Sequence, residues 1–145
     1  SEPMSQGTRA HQMAMYVVYE SPLQMLSDSP TIYDENFECF DFIKSIPTVW
    51  DNTIPLAGDS ENYISIAREK NNIWYIGVIG NEVEKKIIID LSFLKEGNYH
   101  LIGFKDGINS NKNGKDYLKF SQDVTNKSIL NITLSIGGGF VATIF

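Results

Sequence analysis

The stretch from Tyr63 to Leu91 limits the possible folds more than any other. Tyr63-Ile64-Ser65-Ile66-Ala67-Arg68 alternates apolar residues with small or polar ones. A polar turn, Glu69-Lys70-Asn71-Asn72, separates it from Ile73-Trp74-Tyr75-Ile76-Gly77-Val78-Ile79, which is rich in β-branched and aromatic residues. Two such runs across a short polar loop predict a β-hairpin. A third run, Lys86-Ile87-Ile88-Ile89-Asp90-Leu91, follows Gly80-Asn81-Glu82. The three are expected to form the centre of one antiparallel sheet. Adjacent strand residues face opposite sides, so one of Trp74 and Tyr75 should be core and the other partly exposed.

The same texture continues on both sides. Beyond Pro47 the chain breaks into short runs of Ile, Val, Tyr, Phe and Thr separated by Gly, Asn and Asp. Strands are expected near 52–56, 63–68, 73–79, 85–90, 97–105, 117–122, 128–134 and 140–145, with Gly137-Gly138-Gly139 turning into the last. Many short strands at close spacing indicate an antiparallel β-sandwich or barrel. We read a mainly β chain, a Greek-key-like sandwich of about eight strands.

Before Pro47 the period is helical. Thr8 is placed to cap a helix over 9–20, whose Ala, Met and Gln content favours helix. Its segment Met13–Tyr19 is apolar almost throughout. A helix apolar on nearly every side needs cover on nearly every side, and little chain precedes it. Pro22 should stop it, with a further turn over 23–26 and a loop at Ser27-Asp28-Ser29-Pro30. Asp34-Glu35-Asn36 should start a second helix, where acids suit the dipole, with Phe37, Phe40 and Ile43 as its apolar stripe and Pro47 as its end.

Composition narrows the class. The 145 residues fit one domain plus a short extra segment. At 42% hydrophobic and 21% charged the chain reads as globular. A net charge of −6 disfavours nucleic acid as a partner. Cys39 is the sole cysteine, which excludes an internal disulfide and a multi-cysteine zinc site. No apolar run reaches the length of a membrane span. The opening Ser1-Glu2-Pro3 lacks a signal-peptide pattern and suits a piece of a longer protein.

No complete catalytic set emerges. The acids are scattered, without a pair that marks a glycosidase. Asn109, Asn111 and Asn113 before Gly114 resemble the start of a calcium loop, but an EF-hand needs an acid first and a Glu at the twelfth position. Asn109 and Phe120 stand there, so a polar hairpin loop is the plainer reading. His11 and His100 lack a third ligand at metal spacing. Cys39, between Glu38 and Phe40, reads as a buried or half-buried thiol. Trp50, Trp74, Tyr75, Tyr63, Tyr99 and Tyr117 could form a sugar platform, though core packing is the default.

The segment Thr8-Arg9-Ala10-His11-Gln12-Met13-Ala14-Met15-Tyr16-Val17-Val18-Tyr19-Glu20-Ser21-Pro22-Leu23-Gln24-Met25 resembles the end of the catalytic barrel in glycoside hydrolase family 97. Further similarity lies in Ser27-Asp28-Ser29-Pro30, Pro47-Thr48-Val49-Trp50-Asp51, Trp74-Tyr75-Ile76-Gly77, Ile89-Asp90-Leu91-Ser92-Phe93-Leu94, Phe104-Lys105-Asp106-Gly107-Ile108-Asn109 and the Gly137 turn. The resemblance implies calcium-dependent α-glucosidases or α-galactosidases with an N-terminal β-sandwich, a (β/α)8 barrel and a C-terminal β-sandwich. It places residues 1–50 at the end of the barrel and 51–145 in the last sandwich. It also implies a periplasmic location, an oligosaccharide substrate for the parent enzyme, and a terminal domain that supports the barrel and forms oligomers. Catalytic residues and calcium ligands lie upstream, so none is assigned to this chain. On this reading barrel neighbours shelter Met13–Tyr19. Without them the helix must fold back on the sandwich or meet another copy, most simply as a C2 pair. A carbohydrate-binding sandwich module is the alternative.

Overall fold

The computed structural model describes residues 7–19, 37–56 and 62–145. Two helices, α1 (Arg9–Val18) and α2 (Phe37–Ser45), precede eight strands. These are β1 (Asn52–Pro55), β2 (Tyr63–Lys70), β3 (Ile73–Gly80), β4 (Lys85–Asp90), β5 (Asn98–Asp106), β6 (Tyr117–Thr125), β7 (Ile129–Leu134) and β8 (Gly139–Ile144). Each corresponds to an expected strand, and the ends differ by a few residues. The expected turn over 23–26, the loop at 27–30 and the helix start at 34–36 lie outside the described residues, as does Glu20.

The strands form two antiparallel sheets. Six run in the order β1-β2-β3-β8-β5-β6, and among the described residues β4 pairs only with β7. The expectation that β2, β3 and β4 share one sheet is therefore wrong. β3 takes β8 as its other neighbour, with Val78 opposite Phe140 and Trp74 opposite Ile144. Residues 81–84 carry the chain to the opposite layer instead. The β2–β3 hairpin itself stands as expected. Its two-residue turn, Asn71-Asn72, has φ of 52° and 67°, the left-handed conformation that matches strand twist and that Asn tolerates.

Three layers result, with the six-stranded sheet in the middle. One face packs Ile76, Val78, Leu101, Phe140, Ala142 and Ile144 against Ile87, Ile89, Leu130, Ile132 and Leu134 of the small sheet. The other packs Tyr75, Ile79, Phe104 and Val141 against Met13, Ala14, Tyr16 and Val17 of α1 and Cys39, Phe42 and Ile43 of α2. Trp74 and Tyr75 do face opposite sides, yet both are buried. The expectation of one exposed ring fails because helices cover the second face.

The helical layer also answers how α1 finds cover. Ala10, Met13, Ala14 and Val17 are fully buried and pack toward the chain's own sheet and α2, while Met15 and Val18 are half-buried and Tyr19 is exposed. Two glycines permit the close approach. A Cβ at Gly77 would lie 2.9 Å from Val17 Cβ, and one at Gly139 would lie 2.4 Å from His11 Cα. Thr8 caps α1 as expected, its Oγ1 accepting from the His11 amide at 3.1 Å. At the other end Arg68, buried in β2, donates from Nε to the Val17 carbonyl at 2.7 Å and from Nη2 to that of Val18 at 2.9 Å. A cation on the last carbonyls satisfies them and complements the dipole. In α2 the buried stripe is Cys39, Phe42, Ile43 and Ile46, whereas Phe40 is only half-buried beneath the Lys44 ammonium. Of the expected stripe Ile43 is therefore buried, while Cys39 and Phe42 take the inward place expected of Phe40.

Candidate functional site

The densest polar cluster joins the start of α1 to the β7–β8 turn. Asp106, at the end of β5, is buried. Its Oδ1 accepts from Thr8 Oγ1 at 2.6 Å, and its Oδ2 accepts from the amides of Ser135 at 2.9 Å and Gly139 at 3.1 Å. Burial pushes its carboxyl up from the usual range, against the hydrogen bonds that favour the ion. His11 Nδ1 donates to the Gly138 carbonyl at 2.9 Å, which fixes the proton on that nitrogen. Burial lowers its pKa, with the Gly138 bond and the Asp106 charge opposing. The Thr8 amide donates to Gly137 O and the Arg9 amide to Gly114 O. Ser110 Oγ pairs with Ser135 Oγ and donates to Gly107 O.

This constellation does not supply a nucleophile with its base. Thr8 gives its proton to a carboxylate already held by two amides, and His11 holds a carbonyl rather than a hydroxyl. The cluster instead latches four segments together: the α1 start, the β5 end, the 107–116 loop and the β7–β8 turn. Inspection of motifs missed Asp106. A signal was present, because strand alternation puts position 106 on the same face as Phe104, and a carboxylate on an inward face needs partners.

The Asn-rich loop joins β5 to β6 as a polar hairpin loop. The Asn109 amide donates to Asp116 Oδ2 at 2.8 Å, Asn111 Oδ1 accepts from the Ile136 amide at 3.0 Å, and Asn113 Oδ1 accepts from the Lys115 amide at 3.1 Å. Oxygens already engaged by backbone amides are poor ligands for a cation that takes six to eight of them. Among the described residues no group of three His, Cys, Asp or Glu could hold a metal ion. His100 faces Asp123 at 3.0 Å on the surface, whereas His11 bonds the Gly138 carbonyl, so the two histidines have different partners. Cys39 is fully buried, and burial raises its thiol pKa despite Arg9 and Tyr117 nearby. A buried, protonated thiol is a poor nucleophile.

The aromatic residues divide among several environments. Trp50 packs on Tyr75 at 5.4 Å and lies under the Arg68 guanidinium, while Tyr117 Oη donates to Glu38. Tyr63 packs half-buried against the inter-sheet core. Trp74 and Tyr99 of the expected platform share a cavity. With Phe93 they line an open groove of about 930 Å³ whose rim carries Asp51, Asn71 and Lys95. Phe93 lies over Trp74 at 4.8 Å, and Trp74 is 8% exposed. The groove offers an aromatic wall but no flat open ring.

Residues 49–145 match the family model described as "Glycosyl-hydrolase 97 C-terminal, oligomerisation". The chain belongs to glycoside hydrolase family 97. It is 46% identical over 144 residues to a retaining alpha-galactosidase of Bacteroides thetaiotaomicron, an alignment covering 99% of this chain and 22% of that protein. It is 34% identical over 68 residues, 47% of its length, to 11% of a probable retaining alpha-galactosidase of Streptomyces bingchenggensis. A family 97 enzyme from Pseudoalteromonas sp. strain K8, solved in complex with acarbose, superposes with a TM-score of 0.81 at 28% identity, over 96% of this chain and 22% of that one. A β-arabinopyranosidase shares the fold, with a TM-score of 0.61 at 23% identity over 79% of this chain and 17% of that one. The chain therefore spans about a fifth of the family 97 proteins it matches, and it supplies the family's C-terminal domain together with the helices before it.

Proposed function

We propose that this chain is the non-catalytic C-terminal part of a family 97 α-galactosidase, and that it buttresses the catalytic barrel and mediates assembly. The observation that carries the reading is the 46% identity to a retaining alpha-galactosidase across almost the whole chain. The site geometry agrees with a structural role. The buried polar groups around Asp106 bind backbone and each other, which positions segments rather than substrate. By the family resemblance, calcium and the catalytic carboxylates belong to the upstream domains and the full-length protein to the periplasm.

The purified chain is expected to release no sugar from aryl α-galactosides or α-glucosides. Turnover by a clean preparation, absent from a mock purification, overturns the non-catalytic reading. The full-length protein is expected to show a higher kcat/KM on aryl α-galactosides than on α-glucosides; the reverse order overturns the substrate assignment.

The groove lined by Trp74, Phe93 and Tyr99 favours a second reading, a carbohydrate-binding module. Titration with malto-oligosaccharides or α-galactosyl oligosaccharides would then quench or shift Trp fluorescence. A flat signal at millimolar sugar rejects it.

A further inference from the structure

The family model is described as an oligomerisation domain, and one strand of this fold leaves an unpaired edge. β4 forms a two-stranded sheet with β7, and among the described residues no strand pairs with its other edge. The inner face of this small sheet is held by the core, but its open edge is a template for another strand. The Leu91 amide donates to the Ser128 carbonyl, which makes Leu91 and Ser128 a bonded pair. Bonding alternates along an antiparallel ladder, so Lys86, Ile88 and Asp90 turn their own N–H and C=O groups outward. These three also carry the exposed side chains of the strand, and Ile88 is 64% exposed.

The side chains at those positions are self-complementary about Ile88. An antiparallel copy centred on that residue sets Ile88 against Ile88, Lys86 against Asp90 and Asp90 against Lys86. All three positions present outward backbone groups, so the pairings fall on hydrogen-bonded sites, with about six bonds across the seam. Ile129 of β7 lies opposite Asp90 and diagonal to Ile88, so it widens the apolar patch on the same face. Sliding the partner by two residues toward the start of β4 would set Glu84 against Asp90, a like-charge pair. An edge lysine ordinarily deters strand pairing; here the symmetric register gives it an acid, so Lys86 selects one register against others. Of the other sheet edges among the described residues, β1 is four residues long and ends in Pro55, which blunts it, and β6 is nine residues long but polar through its middle, Ser121-Gln122-Asp123, with no exposed branched apolar residue there to centre a seam. The far face of the six-stranded sheet is already covered by α1 and α2.

We propose that β4 is the seam of a symmetric homodimer, in which the two small sheets join as one four-stranded sheet, β7-β4-β4-β7. This rests on the assembly role proposed above and names the surface that performs it. A seam of two six-residue strands is small beside the roughly 1,200 Å² of a stable interface, so association of the chain alone should be weak and visibly concentration-dependent.

The test is light scattering on the chain across about 1–100 μM protein, with thermal melts to show that each variant stays folded. The wild-type mass should rise from 16.3 kDa toward twice that value. Asp90→Lys and Lys86→Asp should each weaken association at least about tenfold, and the double variant Lys86→Asp/Asp90→Lys should restore it. Ile88→Thr keeps a β-branched residue in the strand and should weaken association without reversing with charge. A dimer indifferent to Asp90→Lys, or a double variant no better than the singles, overturns the β4 seam while the assembly role stands. A wild-type chain monomeric throughout overturns both.

Discussion

At the scale of single residues, two kinds of position decide whether the layers can meet. Gly77 and Gly139 let α1 lie directly on β3 and β8, and the obstacle a side chain would meet at Gly139 is the backbone of His11. Backbone cannot rotate aside as a side-chain tip can. Gly139→Ala is therefore expected to destabilise by about 3 kcal/mol or to push α1 off the sheet, and Gly77→Ala by about 1–2 kcal/mol, both read from urea midpoints. His11 is the second kind. Its pKa is lowered chiefly by burial, so the folded state binds its proton less tightly than the unfolded chain does. Its share of stability is present above the unfolded value near 6.5 and is lost as pH falls from there through the lowered folded value. Asp106, raised by burial, acts oppositely, adding stability as pH falls through its folded value. His11→Asn preserves a donor to Gly138 and removes only the histidine titration. Relative to that variant, the wild-type chain should lose stability between pH 7 and pH 5 in denaturation curves, and parallel curves would contradict the assignment. Neither glycine advertises this role in the sequence, because the clash is with residues more than fifty positions away.

At the scale of elements, β8 is the strand on which the large sheet depends. It is the last to be made, yet it pairs with β3 on one side and β5 on the other. It contributes Phe140, Ala142 and Ile144 to one core and Val141 to the other. Removal of residues 139–145 should split the large sheet into a three-stranded β1-β2-β3 piece, whose β1 is only four residues long, and the β5–β6 hairpin, which is at best marginal in isolation. The shortened chain is expected to lose its cooperative melt and to be cleaved rapidly by protease. A sharp transition in that variant would show that the hairpins find each other without it. Arg68 has the corresponding role for α1. Arg68→Met keeps the apolar stem but leaves the Val17 and Val18 carbonyls without their donor, at an expected loss of about 1–3 kcal/mol by chemical denaturation. The existence of every strand was legible from alternation and turn residues. Their partners were not: β4 was expected beside β3 because consecutive strands often pair, and the break at 81–84 has no composition that distinguishes a hairpin from a crossing to another layer.

At the scale of the whole molecule, the six-stranded sheet is shared by two cores, so the helices and the small sheet depend on each other through it. Phe42 belongs to one core and Ile132 to the other. Phe42→Ala and Ile132→Ala should each cost about 3 kcal/mol and should lower one and the same calorimetric transition. Two separated transitions would mean that the helical layer is only an appendage. The local pattern of apolar and polar residues determined much by itself: the strand positions, the capped first helix and the β-sandwich class. These depend on periodicity and on residues close together along the chain. The tertiary structure alone decided which strand sits beside which, that both sheet faces are covered, that Trp74 and Tyr75 are both buried, and that Asp106 ties the first helix to the last turn. Each of these depends on contacts between distant segments, where the side chain at one end is favourable only once the other end has arrived.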